Sequence, residues 1–517
     1  MPSQLTPAEF DKGPAAPTSP IPLAGGTSAA TARTRIAPVQ VPEATMERLR
    51  ATGATVTTDA VARTEASRDW WPLAMTWAVE GQVGALASAV VQPSDPEQVA
   101  EVLAVCDEAR LPVTAAAGRS GVLGGSVPVF GGIVLDLCGL VGIRSVDDTA
   151  LVADVLAGTF GDRFESELRT SHGLTCGHWP QSMTLSTVGG WLACRGAGQF
   201  STRYGKIEDM VVGLDVALAD GRTISTGGAP RQAAGPDLTQ LFVGSEGTLG
   251  VITGARLRLH PAPTYFGRAA WAFPSFAEGL DFCRRILRRG ATPAVLRLYD
   301  GIESERSYHV GVDHHVVLVL DEGDPAIVDA VMAVVADEAH TADGAAATPM
   351  DDALVDTWLR KRNDVSQLEP LIQGGLVVDT MEVSGPWSAL AGIYEAVVQG
   401  MLAVPGVLAA SAHCSHSYLD GACLYFTFGG KPTEDTAASK ATLHAAAWDA
   451  GQRAALERGG SVSHHHGVGL HRGRYLVEVL GGGHVVLQAI KDALDPHGVL
   501  NPGKLGLRSP FGEPDLP

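Results

Sequence analysis

The stretch Pro180-Gln181-Ser182-Met183-Thr184-Leu185-Ser186-Thr187-Val188-Gly189-Gly190-Trp191 joins hydroxyl-bearing and small residues to a pair of glycines. Small side chains let the backbone close on a flat ligand, and Ala193-Cys194-Arg195-Gly196 extends the same surface. Upstream lies Gly118-Arg119-Ser120-Gly121, with Gly124-Gly125 just beyond. A turn that exposes successive N–H groups in this way makes an anion nest suited to a pyrophosphate. Downstream come Tyr204-Gly205-Lys206-Ile207-Glu208-Asp209-Met210-Val211, leading into a strand, and Gly244-Ser245-Glu246-Gly247-Thr248-Leu249-Gly250-Val251-Ile252-Thr253. One such loop alone reads as a tight turn, whereas all of them in this order are specific.

The elements around these loops are short. Asp95 and Pro96 open a helix with Val99, Val102, Leu103 and Cys106 on its apolar face. Strands at 111–116 and 132–137 flank the first loop. A strand at 210–218 enters the Asp220-Gly221 hairpin turn. Ala255, Leu257 and Leu259 then alternate with Arg256, Arg258 and His260, and Pro261 and Pro263 close the unit. Such a pattern predicts small mixed α+β units rather than a doubly wound sheet. Beyond the prolines, strands at 268–273, 294–299, 316–320, 408–412 and 423–428 with a helix at 276–289 predict a second α+β domain with an antiparallel sheet. A long helix at 436–458 and a closing helix ended by Asp495-Pro496 finish the chain. The expected organisation is a disordered tail over 1–45, a helical lead-in over 46–90, a first domain over 91–263 and a second over 264–430. Residues 431–517 then supply helices and a return to the first domain.

At 517 residues the chain is too long for one ordinary core. Its 45% hydrophobic and 18% charged residues fit a soluble globular enzyme. A net charge of −19 argues against a nucleic-acid partner, which needs a basic footprint. The seven cysteines, at 106, 138, 176, 194, 283, 414 and 423, form no CxxC pair and read as reduced thiols of a cytoplasmic protein. No stretch approaches the ~20 apolar residues of a membrane span, and the first 45 residues lack a secretory signal pattern.

Between the last two helices lies Ser463-His464-His465-His466-Gly467-Val468-Gly469. Imidazole donates or accepts a proton near neutrality, so His464, His465 and His466 are candidate catalytic groups. The plainer alternative is a surface cluster or an incidental metal chelator.

In order and separation, the glycine-rich loops resemble the FAD-binding domain of the vanillyl-alcohol-oxidase (PCMH-type) flavoprotein family, from about Val91 to Pro263. The resemblance implies an α+β fold: a PCMH-type FAD-binding domain of two subdomains, an α+β substrate or cap domain with an antiparallel sheet, and a C-terminal helical segment. It implies FAD as cofactor. The pyrophosphate would lie at Thr114, Ala115, Ala116, Ala117, Gly118, Arg119 and Ser120. Gln181, Ser182, Met183, Thr184, Leu185, Ser186 and Thr187 would hold the pyrophosphate and ribityl side, and Ala193, Cys194, Arg195 and Gly196 the isoalloxazine. Glu246, Gly247, Thr248, Leu249, Gly250, Val251 and Ile252 would face the adenine half and ribityl chain. Several members tether the flavin through a histidine just after the first loop's Arg-Ser-Gly. Val122 and Leu123 stand there, so non-covalent FAD is expected.

The second half resembles the alkyldihydroxyacetonephosphate synthase family in Leu296–Asp300, Glu382–Trp387, Ser415–Phe426 and Gly459–Gly469. That family exchanges an acyl chain for a fatty alcohol on dihydroxyacetone phosphate through flavin N5 chemistry without net redox. The likeness implies Tyr425 as active-site tyrosine beside the histidine loop, and Arg297, Arg362, His413 and His416 as substrate contacts. It implies a small or lipid-like substrate and a homodimer. Arg297 has a structural alternative, an ion pair with Asp300. The other near branch, the D-2-hydroxyacid dehydrogenases, shares the Asp495–Lys504 ending but holds a metal with two histidines and a glutamate. Of those ligands only His413 remains here, because Tyr425 and His465 occupy the other positions, so no metal is assigned. The alternative to group transfer is FAD-dependent oxidation of an alcohol, hydroxy acid or related carbon acid.

Overall fold

The computed structural model describes residues 5–6, 8–340 and 347–516. Asp95 caps its helix by accepting the N–H of Gln98, and Pro96 sits in the first turn, where no N–H is needed. This helix, α1 (Pro96–Glu108), shares a core with Val91, Val113 and Leu135 from a four-stranded sheet. Its strands β1 (Thr55–Thr57), β2 (Ala89–Gln92), β3 (Val113–Ala116) and β4 (Ile133–Asp136) lie in the order β1-β2-β4-β3. The first glycine loop leaves the C-terminal end of β3.

A second, antiparallel sheet contains β5 (Ile143–Asp147), β6 (Val152–Leu156), β7 (Val211–Ala217), β8 (Thr223–Ser225) and β9 (Val251–Arg258), ordered β8-β7-β9-β6-β5. Asp220-Gly221 turns β7 into β8, with Gly221 at φ 82° as this turn requires. Ala255 and Leu257 are buried while Arg258 is exposed, which is the alternation read from the sequence.

The third sheet holds β10 (Tyr265–Phe273), β11 (Val295–Tyr299), β12 (His315–Gly323), β13 (Thr348–Met350), β14 (Val377–Pro386), β15 (Val407–Ser417) and β16 (Gly421–Gly430). They run β13-β10-β12-β11-β15-β16-β14, antiparallel throughout. Strand side chains alternate between faces, and here that alternation separates structure from chemistry. Leu296, Leu298, Met381, Val383, Ala412, Cys414, Leu424 and Phe426 pack with α2 (Phe276–Arg288), α3 (Trp387–Leu402) and α4 (Ala437–Glu457) in one apolar cluster. Their neighbours in sequence, Arg297, Thr380, Glu382, His413, Cys423, Tyr425 and Thr427, therefore occupy the opposite face.

After α4 come the histidine loop, α5 (Gly473–Leu480) and α6 (Gly482–Leu494). The chain then returns to β3, where the N–H of Val113 donates to Val499 O at 2.8 Å and that of Asn501 to Val113 O at 2.7 Å.

The tail and the lead-in depart from expectation. Of residues 1–45, expected as a disordered tail, 1–4 and 7 lie outside the described residues, and the rest is mostly irregular chain with a 3-10 turn at Thr27–Ala29 and the start of the helix Glu43–Ala51. Ile21 and Leu23 are buried with Met75 and Val83, and Thr31–Ala32 pairs with Gln82–Val83. The N–H of Gly13 donates to Asp162 at 2.9 Å. Proline-rich chain has no periodicity to read, yet extended backbone can still bury isolated side chains. Residues 46–90 carry helices and also supply β1 and the start of β2. Among the described residues no helix is long and apolar enough to cross a membrane, and all seven cysteines are free.

Candidate active site

The glycine loops and the polar face of the third sheet border one cavity of about 540 Å³. Ala115 to Ser120, Gln181, Ser182, Leu185 to Thr187, Ala193, Cys194, Gly196, Glu246, Gly247 and Gly250 to Ile252 line it on the first-domain side. A Cβ on Gly118 would stand 2.2 Å from Leu185 O, so the first and second loops meet only because that side chain is absent. Asn501 joins the first and fourth loops, its Nδ2 donating to Gly125 O at 3.1 Å and Glu246 O at 2.7 Å.

Several expected flavin contacts lie behind this wall. Thr114, Met183 and Leu249 are buried, and Thr248 donates to Ser245 O. Thr184 packs against Gly13 of the N-terminal segment. Arg195 turns outward to Glu208 and Gln240.

The wall also contains His178, which the sequence reading missed. It is buried with both ring nitrogens unpaired by protein and lies 4.5 Å from the Trp191 ring. Burial, then the nearby Lys206 charge, lowers its pKa to about 3. A cavity of this size fits a large organic cofactor, and a buried unpaired imidazole fits a polar ligand edge. Glycine-rich backbone and the Ser182, Ser186 and Thr187 hydroxyls suit a pyrophosphate and ribityl chain. Val122 and Leu123 border the cavity where a tether would attach.

On the opposite side stand Arg297, Glu303, Arg306, Thr380, His413, His416, Tyr425, Thr427, His465 and His466. Arg297 makes no pair with Asp300, which instead caps the helix Gly301–Tyr308. Its Nε donates to the Tyr299 hydroxyl at 2.7 Å, and its Nη2 lies 2.6 Å from His413 Nε2. A guanidinium only donates, so His413 accepts there and donates from Nδ1 to Glu303 at 2.8 Å. Burial and then Arg297 hold the His413 imidazole down to about 4, neutral at neutral pH. Its ring stacks on Tyr425 at 4.9 Å, and the Tyr425 hydroxyl donates to Thr380 at 3.0 Å. Burial raises the Tyr425 pKa, so it stays a phenol.

The histidine loop completes this side. His466 lies 5.4 Å from the Tyr425 ring and His465 lies 6.0 Å from it. His464 points behind the cavity wall, with Nε2 3.0 Å from Tyr418 Oη and Nδ1 2.9 Å from His465 Nδ1. Burial, then neighbouring His466, lowers the His465 pKa, and burial likewise lowers that of His466 despite the Glu382 charge. Both therefore remain neutral proton acceptors. Glu382 Oε1 accepts the backbone N–H groups of all three histidines, and Arg472 lies 2.5 Å from Oε2. Burial would raise the Glu382 carboxyl, but Arg472 holds it well below the usual range. Glu246, expected at the flavin, also turns its carboxylate to the loop and accepts from Val468 at 2.6 Å and Gly469 at 2.8 Å.

Of the remaining expected contacts, His416 borders the cavity with Nδ1 2.7 Å from Ser201 Oγ. Arg362 does not. Its guanidinium lies 5.1 Å from the Trp179 ring and 5.5 Å from Phe200, and it donates to Gln199 at 3.1 Å.

Comparison with known proteins agrees with this architecture. Residues 87–227 match the FAD binding domain model, and residues 262–505 match the model for the C-terminal domain of FAD linked oxidases. The FAD-linked oxidoreductase YgcU of Escherichia coli O157:H7 is 31% identical over 439 residues, covering 81% of this chain and 89% of that one. Alkyldihydroxyacetonephosphate synthase of Dictyostelium discoideum is 27% identical over 464 residues, covering 82% and 74%. A solved alkyldihydroxyacetonephosphate synthase structure superimposes with a TM-score of 0.74 at 23% identity, covering 91% of this chain and 86% of its own. The fold is thus the expected PCMH-type one, its cofactor is FAD, and the chain belongs to the FAD-linked oxidoreductase family.

Proposed function

We propose that this flavoenzyme carries out group transfer of the alkyldihydroxyacetonephosphate synthase type, with the histidine loop and Tyr425 managing the protons. The observation that carries this reading is the convergence of His465, His466 and Tyr425 on the cavity that the FAD loops border. When bound, FAD would supply the electron-accepting ring chemistry that no side chain offers. His465 or His466, buried and neutral, removes a carbon-bound or hydroxyl proton from the substrate. The Tyr425 hydroxyl donates a hydrogen bond to a developing oxyanion in place of Thr380. Arg297, with a second partner in Tyr299, presents a fixed positive charge to an anionic substrate group.

A second reading is oxidation of an alcohol or hydroxy acid. It is favoured by the hydroxyl- and charge-rich wall of Thr380, Thr427, Glu303 and Arg306, which suits a polar substrate better than an alkyl chain, and by the likeness to YgcU. Anaerobic mixing of the holoprotein with an acyl dihydroxyacetone phosphate and a fatty alcohol separates the two. Ether product with flavin absorbance perturbed but retained supports group transfer. No exchange, together with full bleaching by a hydroxy acid or alcohol, supports oxidation.

A further inference from the structure

We propose that Cys423, His464 and His465 form a three-ligand zinc site at the edge of the cavity. One ligand atom from each of Cys423, His464 and His465 lies within 4.8 Å of the other two. The Nδ1 atoms of the two histidines are 2.9 Å apart, and Cys423 Sγ is 3.9 Å from His465 Nδ1. Tetrahedral zinc, with nitrogen at ~2.0–2.1 Å and sulfur at ~2.3 Å, needs ligand separations of about 3.3 Å between nitrogens and about 3.6 Å between nitrogen and sulfur. Both measured spacings are within a few tenths of an ångström of those values, a shift that small side-chain rotations supply.

The surroundings point to an ion as well. Tyr418 engages His464 through Nε2, which orients the ring as an outer-shell partner does and leaves Nδ1 facing the cluster. Two Nδ1 atoms turned toward each other share at most one or two protons, whereas a cation takes both lone pairs. Cys423 sits on the polar face of β16, two residues before Tyr425, and its thiol meets His465 there. Two imidazoles and a thiol suit a borderline-soft cation and not magnesium or calcium, which take oxygen ligands. Zinc binding exchanges the Cys423 proton, released to solvent, for a Zn–S bond, and no electron changes hands. His465 borders the cavity, so the site adjoins it. These are not the ligand positions of the hydroxyacid dehydrogenase branch, and the site requires no particular substrate. Its occupation removes the His464 and His465 Nδ1 lone pairs from proton transfer.

The test is titration of chelator-stripped holoprotein with zinc against a chromophoric chelator. One equivalent per chain is expected to bind. Cys423→Ser and His465→Ala are each expected to weaken binding by about 10²-fold or more, with FAD content unchanged. Cys138→Ser, a cysteine on the 3-10 turn after β4, is expected to bind zinc as the parent does. Less than one equivalent bound at a large zinc excess overturns the proposal, and so does unchanged affinity in both ligand variants. Should Cys423→Ser lose its flavin, His465→Ala decides.

Discussion

Glu382 Oε1 accepts the backbone N–H of His466 at 2.6 Å, and the same oxygen accepts those of His465 at 2.8 Å and His464 at 3.1 Å. Converging N–H groups on one buried carboxylate fix the loop's backbone, and with it the directions of three imidazoles. Glu382 belongs to the third sheet, while Glu246, which accepts the N–H groups of Val468 and Gly469, lies on the side of the glycine loops. The loop is thus fastened to both halves of the molecule across the cavity it serves.

Glu382→Gln keeps an acceptor oxygen but removes the charge opposite Arg472, where both side chains are fully buried. Breaking a buried pair by changing one partner typically costs ~3–5 kcal/mol. Urea denaturation of the holoprotein is expected to show a loss of that order. Replacing Arg472 by Met in the same chain should recover part of it. A loss below ~1 kcal/mol would mean the pair does not hold the loop.

Gly118→Ala is expected to abolish FAD retention, since its Cβ would lie 2.2 Å from Leu185 O and force the two loops apart. The ratio of flavin to protein absorbance after gel filtration reads this directly. In the parent protein, acid or heat should release FAD into the supernatant, because Val122 and Leu123 offer no atom for a covalent tether.

The flavin half was legible because its signals are local: glycines and hydroxyls recur in an order that short segments carry by themselves. The clamp was not legible. Glu382 acquires its meaning only when β14 brings it beneath the histidine loop and beside Arg472. Asp379 likewise pairs with His444 at 2.6 Å across the fold. In the strand Val377–Pro386 these acids, joined by Thr380, read as interruptions of an apolar run, so the strand itself went unpredicted. Glu303 and His413 are far apart in sequence and meet only through packing of helix Gly301–Tyr308 on β15. Arg362 was expected at the substrate from the likeness to the synthase family, and an aromatic box holds it instead.

His471 behaves as a core aromatic. It is buried with both nitrogens unpaired, 4.5 Å from the Trp448 ring and 5.7 Å from that of Trp71. Burial, then the neighbouring His444 and Arg472, pushes its pKa well below the ordinary value. A lowered folded pKa means that the unfolded chain binds the extra proton first. The group's stabilising contribution is therefore present above the unfolded value of ~6.5 and is lost as pH falls below it. His471→Phe removes that loss. Thermal denaturation from pH 7.5 down to 4.5 should show the parent losing stability relative to the variant at the acid end. Asp69 and Glu322, pushed up to about 7 chiefly by burial, titrate with the opposite sign, but they are common to both proteins and cancel. Parallel curves would refute the assignment.

His466→Ala and Tyr425→Phe are each expected to lower turnover by roughly 10²–10⁴-fold, the range for losing a positioned acid–base group. FAD content should stay near that of the parent, because both residues border the cavity from the side of the third sheet and neither belongs to a flavin loop. The two effects should not multiply in the double variant, since the rings lie 5.4 Å apart and act on one substrate. The acid limb of the parent's kcat/KM profile should fall below ~6.5, because burial lowers the pKa of His466 and it accepts protons only while neutral. Equal loss of flavin and turnover would make these residues structural, and unchanged turnover in both would leave the histidine loop without a part in the chemistry.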